Sequence, residues 1–184
     1  FQAEDGIRDF CLSRGLGDVY KRQILGHERD TLAPPNTAQT RINALVELMK
    51  TETAGGERLI DNPIYKDRLM KIQGRVLAMK YNDMRVLSSR LNPGQDASLS
   101  RMITKLQGTE LRHELEGLAI DIMGEVGLSY DDNPHLRGAG SWQREYMYYL
   151  GLIIGGGTSQ IQKNIISERG LGMPREPKIE KKAV

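Results

Sequence analysis

The sequence contains few of the residues that build disulfide frameworks or metal sites. Its 184 residues include one cysteine, Cys11, and three histidines at positions 27, 113 and 135. A single cysteine excludes an internal disulfide framework and favours a reducing compartment. The histidines are too widely spaced for a metal-ligand pattern, so no metal site is predicted. The longest apolar run, residues 149–154, is far shorter than the roughly 18 to 20 residues that cross a bilayer.

Charges of the two signs almost cancel, with 26 lysines and arginines against 24 acids and a net charge of +2. The basic residues are interspersed with acids, so no nucleic-acid surface is predicted. The length and the 39% hydrophobic content fit one core, and therefore one domain.

The first 23 residues differ in composition from the rest. This segment, FQAEDGIRDFCLSRGLGDVYKRQ, holds the cysteine and both phenylalanines of the chain. It lacks helical or strand periodicity and the apolar centre of a signal peptide. It resembles a translated sequencing-adapter read, so we expect residues 1–23 to be non-native; the alternative is a loop-rich start of a truncated domain. Residues 176–184 are predicted to form a frayed basic tail.

Apolar residues at helical spacing predict five helices in the remaining chain. The predicted spans are Asn36 to about Ala54, Asp61 to Asn92, Asp96 or Ser98 to Gly124, a helix from Ser141, and a last helix from Thr158 or Ser159 to Gly170. No segment alternates like a strand. We therefore predict an all-α fold, an antiparallel four-helix bundle with a short final helix. Leu87 and Leu99 are expected in its core, as are the eight methionines, which would fill gaps between helices.

Three consecutive glycines precede the last predicted helix, in the stretch IIGGGTSQIQ at 153–162. The stretch lacks the Lys-Ser/Thr pair of a P-loop and the preceding strand of a dinucleotide-binding motif. Glycines before a helix N-terminus permit close approach of an anion or a polar cofactor edge. The alternative is a hinge with an ordinary cap, and Ser159 with Gln162 predicts a capping box.

The segment GGTSQIQKNIISERGLGMPR, Gly156–Arg175, resembles the last motif of acyl-CoA dehydrogenases, in which Gly-Thr-x-x-Ile-Gln opens the final helix of a C-terminal helical domain. The resemblance extends over residues 24–175. It implies a four-helix bundle that packs against an N-terminal helical domain and a middle β domain. It also implies FAD, an acyl-CoA substrate, electron-transfer flavoprotein, lipid metabolism in a bacterial cytoplasm, and a homo- or hetero-oligomer, most simply a dimer of dimers.

The position of the catalytic base departs from the common family pattern. Many members carry a glutamate directly before the Gly-Thr pair, where this chain has Gly156. A smaller branch places the base in a Leu-x-x-Glu-Arg-x-x-x-Ala pattern, which LGHERDTLA at 25–33 matches. The resemblance therefore implies Glu28 as the base and Arg29 as an acyl-CoA contact. The alternative for Glu28 is a solvated acid in a first helical turn.

Further site residues follow from the same resemblance. Thr158 and Gln160 match flavin-contacting positions, and Gly157 lies where the chain approaches the acyl thioester. Gly124 is all that remains of a Gln-x-x-Gly-Gly turn, and the segment TAGGERLIDNP lacks the family's Arg-x-x-Phe-Gly.

The implied reaction is α,β-dehydrogenation of an acyl-CoA, with proton removal by a carboxylate and hydride transfer to flavin N5. Because the N-terminal and middle domains have no counterpart in the sequence, the chain by itself is expected to be inactive. One alternative is a non-catalytic partner subunit of a heteromeric dehydrogenase. A more remote one is a helical interaction module without a cofactor.

Overall fold

Four long helices and one short helix dominate the computed structural model, which describes residues 35–92, 94, 96–130 and 133–175. The long helices are α1 (Pro35–Thr51), α2 (Pro63–Leu91), α3 (Ser98–Met123) and α4 (Ser141–Ile154), and the short one is α5 (Ser159–Ile165). A π-helical turn, Ile166–Gly170, extends α5, and two 3₁₀ turns, Gly124–Leu128 and Arg137–Gly140, lie between α3 and α4. The predicted all-α fold with a short final helix is confirmed.

The helix boundaries follow from local chemistry. Asn62 caps α2, because its side-chain oxygen accepts a hydrogen bond from the amide of Ile64 at 3.0 Å, and Pro63 occupies the first helical position. After α1, Gly55 and Gly56 both adopt positive φ and close a two-residue antiparallel hairpin between Thr53–Ala54 and Glu57–Arg58. The expectation of no strand was wrong here, since a Gly-Gly turn favours a tight hairpin.

Consecutive long helices run in alternating directions around α3. Arg68 of α2 pairs with Asp121 near the end of α3, whereas Asn82 donates to the carbonyl of Ser100 near its start. Helix α3 packs against α1, α2, α4 and α5. We call the end of the bundle that holds the start of α3 and the end of α4 the glycine end, because it carries residues 155–157.

The core lies between α1, α2 and α3, with Trp142 of α4 closing one side. Its fully buried members include Ile42, Leu45, Met49, Leu69, Ile72, Leu111, Leu115 and Leu118. Two predicted core positions are wrong. Val86, not Leu87, continues the buried side of α2, because Leu87 is rotated about 100° around the helix. Leu99, at the start of α3, is 38% exposed.

The methionines also divide differently from the prediction. Met49, Met79 and Met123 are buried. Met70, Met84, Met147 and Met173 are exposed. The prediction that the eight methionines fill core gaps was therefore wrong for these four, and two of them lie on α2.

A buried ion cluster joins α1, α3 and α4. Glu116 is inaccessible to solvent and accepts hydrogen bonds from Arg41 at 2.6 and 2.9 Å and from Arg112 at 3.0 Å. The Arg41 guanidinium lies 3.6 Å from the ring centroid of Trp142, and that of Arg112 lies 4.6 Å from the ring of Tyr149. Two arginines thus share one buried carboxylate and each covers an aromatic ring of α4.

We expect Glu116→Gln to destabilise the fold by about 3 kcal/mol, because the partly buried Arg41 loses its carboxylate partner and the buried Arg112 keeps only that of Glu145, at 3.3 Å. The matched control is Glu114→Gln on the same helix, where a surface pair with Arg75 is lost and the expected change is below about 1 kcal/mol. Urea unfolding of both variants measures the difference. Equal destabilisation would show that the cluster contributes nothing beyond a surface pair.

Stability should also fall at high pH through Tyr149. Burial is the largest influence on this phenol and raises its pKa, while the nearby Arg112 partly lowers it. The pKa of Tyr149 is therefore higher in the folded chain than in the unfolded chain. The stabilisation that its buried neutral phenol provides is complete below about pH 10 and is lost as the pH rises further. Unfolding free energies between about pH 9 and pH 11 should decline less in Tyr149→Phe than in the parent chain. Tyr148→Phe, which changes an exposed neighbour, should follow the parent.

Candidate functional site

The turn Gly155–Gly157 joins α4 to α5 at the glycine end. Gly155 ends α4, with its amide donating to the carbonyl of Gly151 at 2.8 Å. Gly156 and Gly157 have φ values of 65° and 110°. Side-chain-bearing residues rarely adopt the second value, so the turn depends on glycine at position 157.

Two buried polar side chains bind carbonyl groups of this turn and of the end of α4. Lys105 of α3 is 1% exposed, and its ammonium donates to the carbonyls of Ile153 at 2.8 Å and Gly157 at 2.6 Å. Gln162 of α5 is 2% exposed, and its amide donates to the carbonyl of Gly156 at 2.9 Å. The carbonyls at the C-terminal end of α4 and in the turn lack amide partners within the helix, and side chains from inside the bundle donate to them instead.

Neither holding role was anticipated from the sequence. Lys105 stands within the apolar pattern of α3, directly before Leu106, and a lysine in such a place is a signal for a buried cation with acceptors nearby. Gln162 was assigned to a capping box with Ser159, and that assignment was wrong. The hydroxyl of Ser159 donates instead to Glu110 at 2.7 Å. Ser159 thus pairs with α3, and Gln162 binds a carbonyl of the preceding turn instead of the amide that a capping box requires.

Thr158 is the residue that caps α5. Its hydroxyl oxygen accepts from the amide of Ile161 at 3.4 Å, and the side chain is half-buried. Within the described part of the chain the hydroxyl proton has no acceptor. Since a hydroxyl can donate while it accepts, that proton is available to a bound group. Gln160 lies two residues further on and is exposed.

Gly157 offers close approach but no polar group. Its amide donates to the carbonyl of Ile154 at 3.1 Å, and its own carbonyl accepts from Lys105. Both groups are thus engaged within the bundle. A ligand at this residue would contact only the Cα hydrogens. Gly157 can therefore leave space for a ligand, but it does not offer the ligand a hydrogen bond.

Gly124 does not join this group. It ends α3 with φ 56° and is exposed, and it lies roughly 28 Å from the level of Lys105 at about 1.5 Å per helical residue. The nearby Asp121 carboxylate pairs with Arg68 at 2.8 Å. Of the predicted cofactor contacts, the fold therefore brings together Thr158 and Gln160 and leaves Gly124 at the opposite end.

Glu28 and Arg29 lie outside the described residues. The first turn of α1 is described, and it lies towards the glycine end. There Thr37 accepts a hydrogen bond from Arg112 at 2.8 Å. Arg112 stands about two helical turns along α3 from Lys105.

Residues 35–92, 94, 96–130 and 133–175 contain no group of three or more His, Cys, Asp or Glu side chains that could hold a metal ion. None of the helices described there has both the length and the apolarity that spanning a bilayer requires.

Comparison with known families matches residues 14–171 to the acyl-CoA dehydrogenase C-terminal domain. Acyl-CoA dehydrogenase IpdE1 of Mycolicibacterium smegmatis is 34% identical over 134 residues, which cover 73% of this chain and 30% of that protein. Acyl-CoA dehydrogenase FadE26 of Mycobacterium tuberculosis is 30% identical over 155 residues, covering 82% and 38% respectively. The chain thus spans about a third of the length of these curated relatives.

A solved structure shares the same fold. The ChsE4-ChsE5 complex of Mycobacterium tuberculosis superposes with a TM-score of 0.70 at 28% identity, covering 84% of this chain and 40% of the matched one.

We expect Gly157→Ala to destabilise the chain by about 1 to 3 kcal/mol, because a side chain is strained at this φ. Its added carbon would also stand 2.7 Å from the Gln162 amide nitrogen. Gly151→Ala is the matched control, since this glycine lies in α4 with open space around it, and the change should stabilise by about 0.5 to 1 kcal/mol. Thermal unfolding compares them, and a neutral Gly157→Ala would contradict the requirement for glycine.

Proposed function

The chain belongs to the acyl-CoA dehydrogenase family, as its C-terminal helical domain, and on that premise we propose that it forms the helical part of an FAD-dependent enzyme that oxidises an acyl-CoA thioester. The observation that carries the proposal is the Gly155–Gly157 turn, held from inside by Lys105 and Gln162, with Thr158 beside it. Residues 24–175 constitute the proposed domain.

The proposed reaction begins with removal of the α-proton by Glu28. This proton is only weakly acidic, so a carboxylate must be positioned over it while hydrogen bonds polarise the thioester carbonyl. Arg29 provides a positive charge for the acyl-CoA. When bound, FAD supplies the acceptor for the hydride that leaves the β-carbon. The location of the first turn of α1 towards the glycine end supports a base that enters the bundle from this side.

The donor set at the glycine end fits a flavin edge. A flavin ring presents neutral hydrogen-bond acceptors and donors, and Thr158 offers an unused hydroxyl proton while Gln160 offers an exposed amide that can do both. Gly157 leaves room for the thioester. Lys105 fixes the turn without facing the ligand, because its ammonium is engaged by backbone carbonyls.

We assign Gly124 to a different copy of the site. Because it lies at the other end of α3, it would contact the flavin of a neighbouring subunit in an oligomer. The similar solved structure is a complex of ChsE4 with ChsE5, which supports assembly with an unlike subunit. The assembly proposed for this chain is a homo- or hetero-oligomer, most simply a dimer of dimers. Electron-transfer flavoprotein is the proposed electron acceptor, and the bacterial cytoplasm the proposed compartment.

A non-catalytic partner subunit is the second candidate. It is favoured by Gly156, which is buried and carries no carboxylate at the position where many members of the family have their base. A helical module without a cofactor is the more remote third candidate.

The decisive variant is Glu28→Gln in the complete protein that carries this chain. We expect a loss of at least about a hundredfold in acyl-CoA oxidation with unchanged FAD content, as for removal of a general base. Solvent deuterium exchange at the α-carbon provides a second measurement, because it reports proton removal without hydride transfer. Asp30→Asn, which neutralises an acid two residues away, is the matched control and should retain activity.

Each alternative predicts a different result. An unchanged rate in Glu28→Gln would show that the base lies elsewhere. FAD retention without oxidation of straight-chain, branched or ring-bearing acyl-CoAs would favour the non-catalytic subunit. A complete protein that never retains FAD would rule out the flavoenzyme proposal.

A further inference from the structure

Lys105 of α3 lies inside the bundle and binds the end of a different helix. Its side chain is 1% exposed, and its ammonium donates to the carbonyls of Ile153 at 2.8 Å and Gly157 at 2.6 Å. These acceptors lie 48 and 52 positions further along the chain. Burying an ammonium costs free energy unless hydrogen bonds replace its hydration. The position of this cation is therefore coupled to the position of the glycine turn.

The other long helices end without a buried cation in the part of the chain that the structure describes. Carbonyls near their ends accept hydrogen bonds from donors only three or four residues further along: Thr51 to Leu48 after α1, Asn92 to Ser88 after α2, and Gly124 to Asp121 after α3. Such local donors are the usual way to satisfy a helix C-terminus. Ending a helix therefore does not by itself require a lysine from a neighbouring helix.

The hydrogen bond to Gly157 fixes the direction of the peptide group that joins Gly157 to Thr158. The carbonyl and the amide of a trans peptide point in opposite directions, and the described residues include no cis peptide bond. Because the Gly157 carbonyl points towards Lys105, the Thr158 amide points away from it. This amide belongs to the turn, before α5 begins at Ser159, and it has no acceptor among the described residues.

The turn has little else to hold this peptide group. Within the described residues, Gln162 donates to the carbonyl of Gly156 at 2.9 Å, one peptide earlier, and to that of Gly157 only at 3.5 Å. Glycine accepts a wide range of backbone angles, and Thr158, with φ −57°, can move within the broad region of negative φ. Without the ammonium, the peptide plane would be free to tilt while α4 and α5 stay in place.

The direction of the Thr158 amide matters to a ligand because a hydrogen bond weakens steeply as its angle departs from linearity. The hydroxyl of the same residue has an unused proton. Thr158 thus has two donors for an acceptor at the edge of a ring, and the direction of the amide is set from inside the bundle.

We propose that Lys105 is a positioning residue for the flavin edge. It does not touch the cofactor. It acts by holding the Gly157–Thr158 peptide so that the Thr158 amide donates to an acceptor atom of the flavin ring. The inference rests on the flavoenzyme function proposed above and deepens it, since it gives a buried lysine the task of orienting a donor on the far side of a backbone turn.

Lys105→Met tests the inference first in the 184-residue chain, without flavin. Methionine keeps an unbranched apolar side chain and removes the ammonium. We expect the residual dipolar coupling of the Thr158 amide, which reports the direction of its N–H bond, to change, while that of the buried Leu115 stays the same. Gln162→Met is the matched control, since it removes the other buried donor of the turn and leaves the bond between Lys105 and Gly157 in place.

Fluorescence titration then measures FAD affinity in the complete protein that carries this chain. We expect Lys105→Met to weaken FAD binding about fivefold to tenfold, the effect of one lost hydrogen bond, and Gln162→Met to weaken it less than about twofold. The visible absorption band of bound flavin should shift in Lys105→Met alone, because it responds to hydrogen bonds at the ring. A lysine that only stabilises the fold would lower the unfolding temperature and leave both flavin measurements unchanged.

A second measurement applies if Lys105→Met fails to fold. In the unsubstituted complete protein, hydrogen exchange of the Thr158 amide should be at least about tenfold slower with FAD than without it, because a donated hydrogen is protected. Equal exchange with and without FAD would show that this amide donates nothing to the flavin, and would overturn the inference.

Two further results would contradict the role of Lys105. They are an unchanged Thr158 coupling in Lys105→Met, and equal effects of Lys105→Met and Gln162→Met on the bound flavin. Either result is compatible with a protein that retains FAD and oxidises acyl-CoA, so the proposed function would stand. A complete protein that never retains FAD would instead remove the proposed function, and the couplings in the 184-residue chain would still show whether Lys105 orients the turn.

Discussion

The burial of charged side chains along α3 is the constraint on which the rest of the structure depends. Lys105, Arg112 and Glu116 are 1%, 5% and 0% exposed, on a helix that packs against every other helix of the bundle. A buried charge is tolerated only with a counter-charge or several hydrogen bonds. Each of these residues therefore needs a suitable partner on a neighbouring helix. Glu116 pairs with Arg41 of α1, and the Arg112 guanidinium lies over the ring of Tyr149 of α4.

The same constraint shapes the candidate site. The Lys105 ammonium needs acceptors. The last turn of α4 provides the carbonyl of Ile153, and the glycine turn provides that of Gly157, which positive φ turns inward. Next to this turn, Thr158 is half-buried with an unused hydroxyl proton, and Gln160 is exposed. A buried lysine on one helix thus determines which surface a cofactor would meet at the end of another.

Helix ends were predictable because their signals are local. Asn62 and Pro63 specify the start of α2 by a side-chain cap and a fixed φ, and neither depends on distant residues. The buried side of α2 was less predictable, since apolar residues occur on both of its sides. With Val86 and Leu87 adjacent, periodicity alone cannot decide which one is buried. Only the position of α3 decides this.

By itself, the sequence determined the helical class, the approximate helix limits and, through Gly156–Arg175, the family to which the chain belongs. These depend on periodicity, capping and a contiguous motif, all of which are short-range. Only the tertiary structure decided that Lys105 and Gln162 hold the glycine turn, that Gly124 lies far from Thr158, and that apolar residues of α2 such as Leu77 and Met84 are exposed. The physical reason is that hydrogen-bond partners and burial depend on which helices become neighbours. Lys105 and the carbonyl of Gly157, for example, are far apart in the sequence and meet only because α3 packs beside the end of α4.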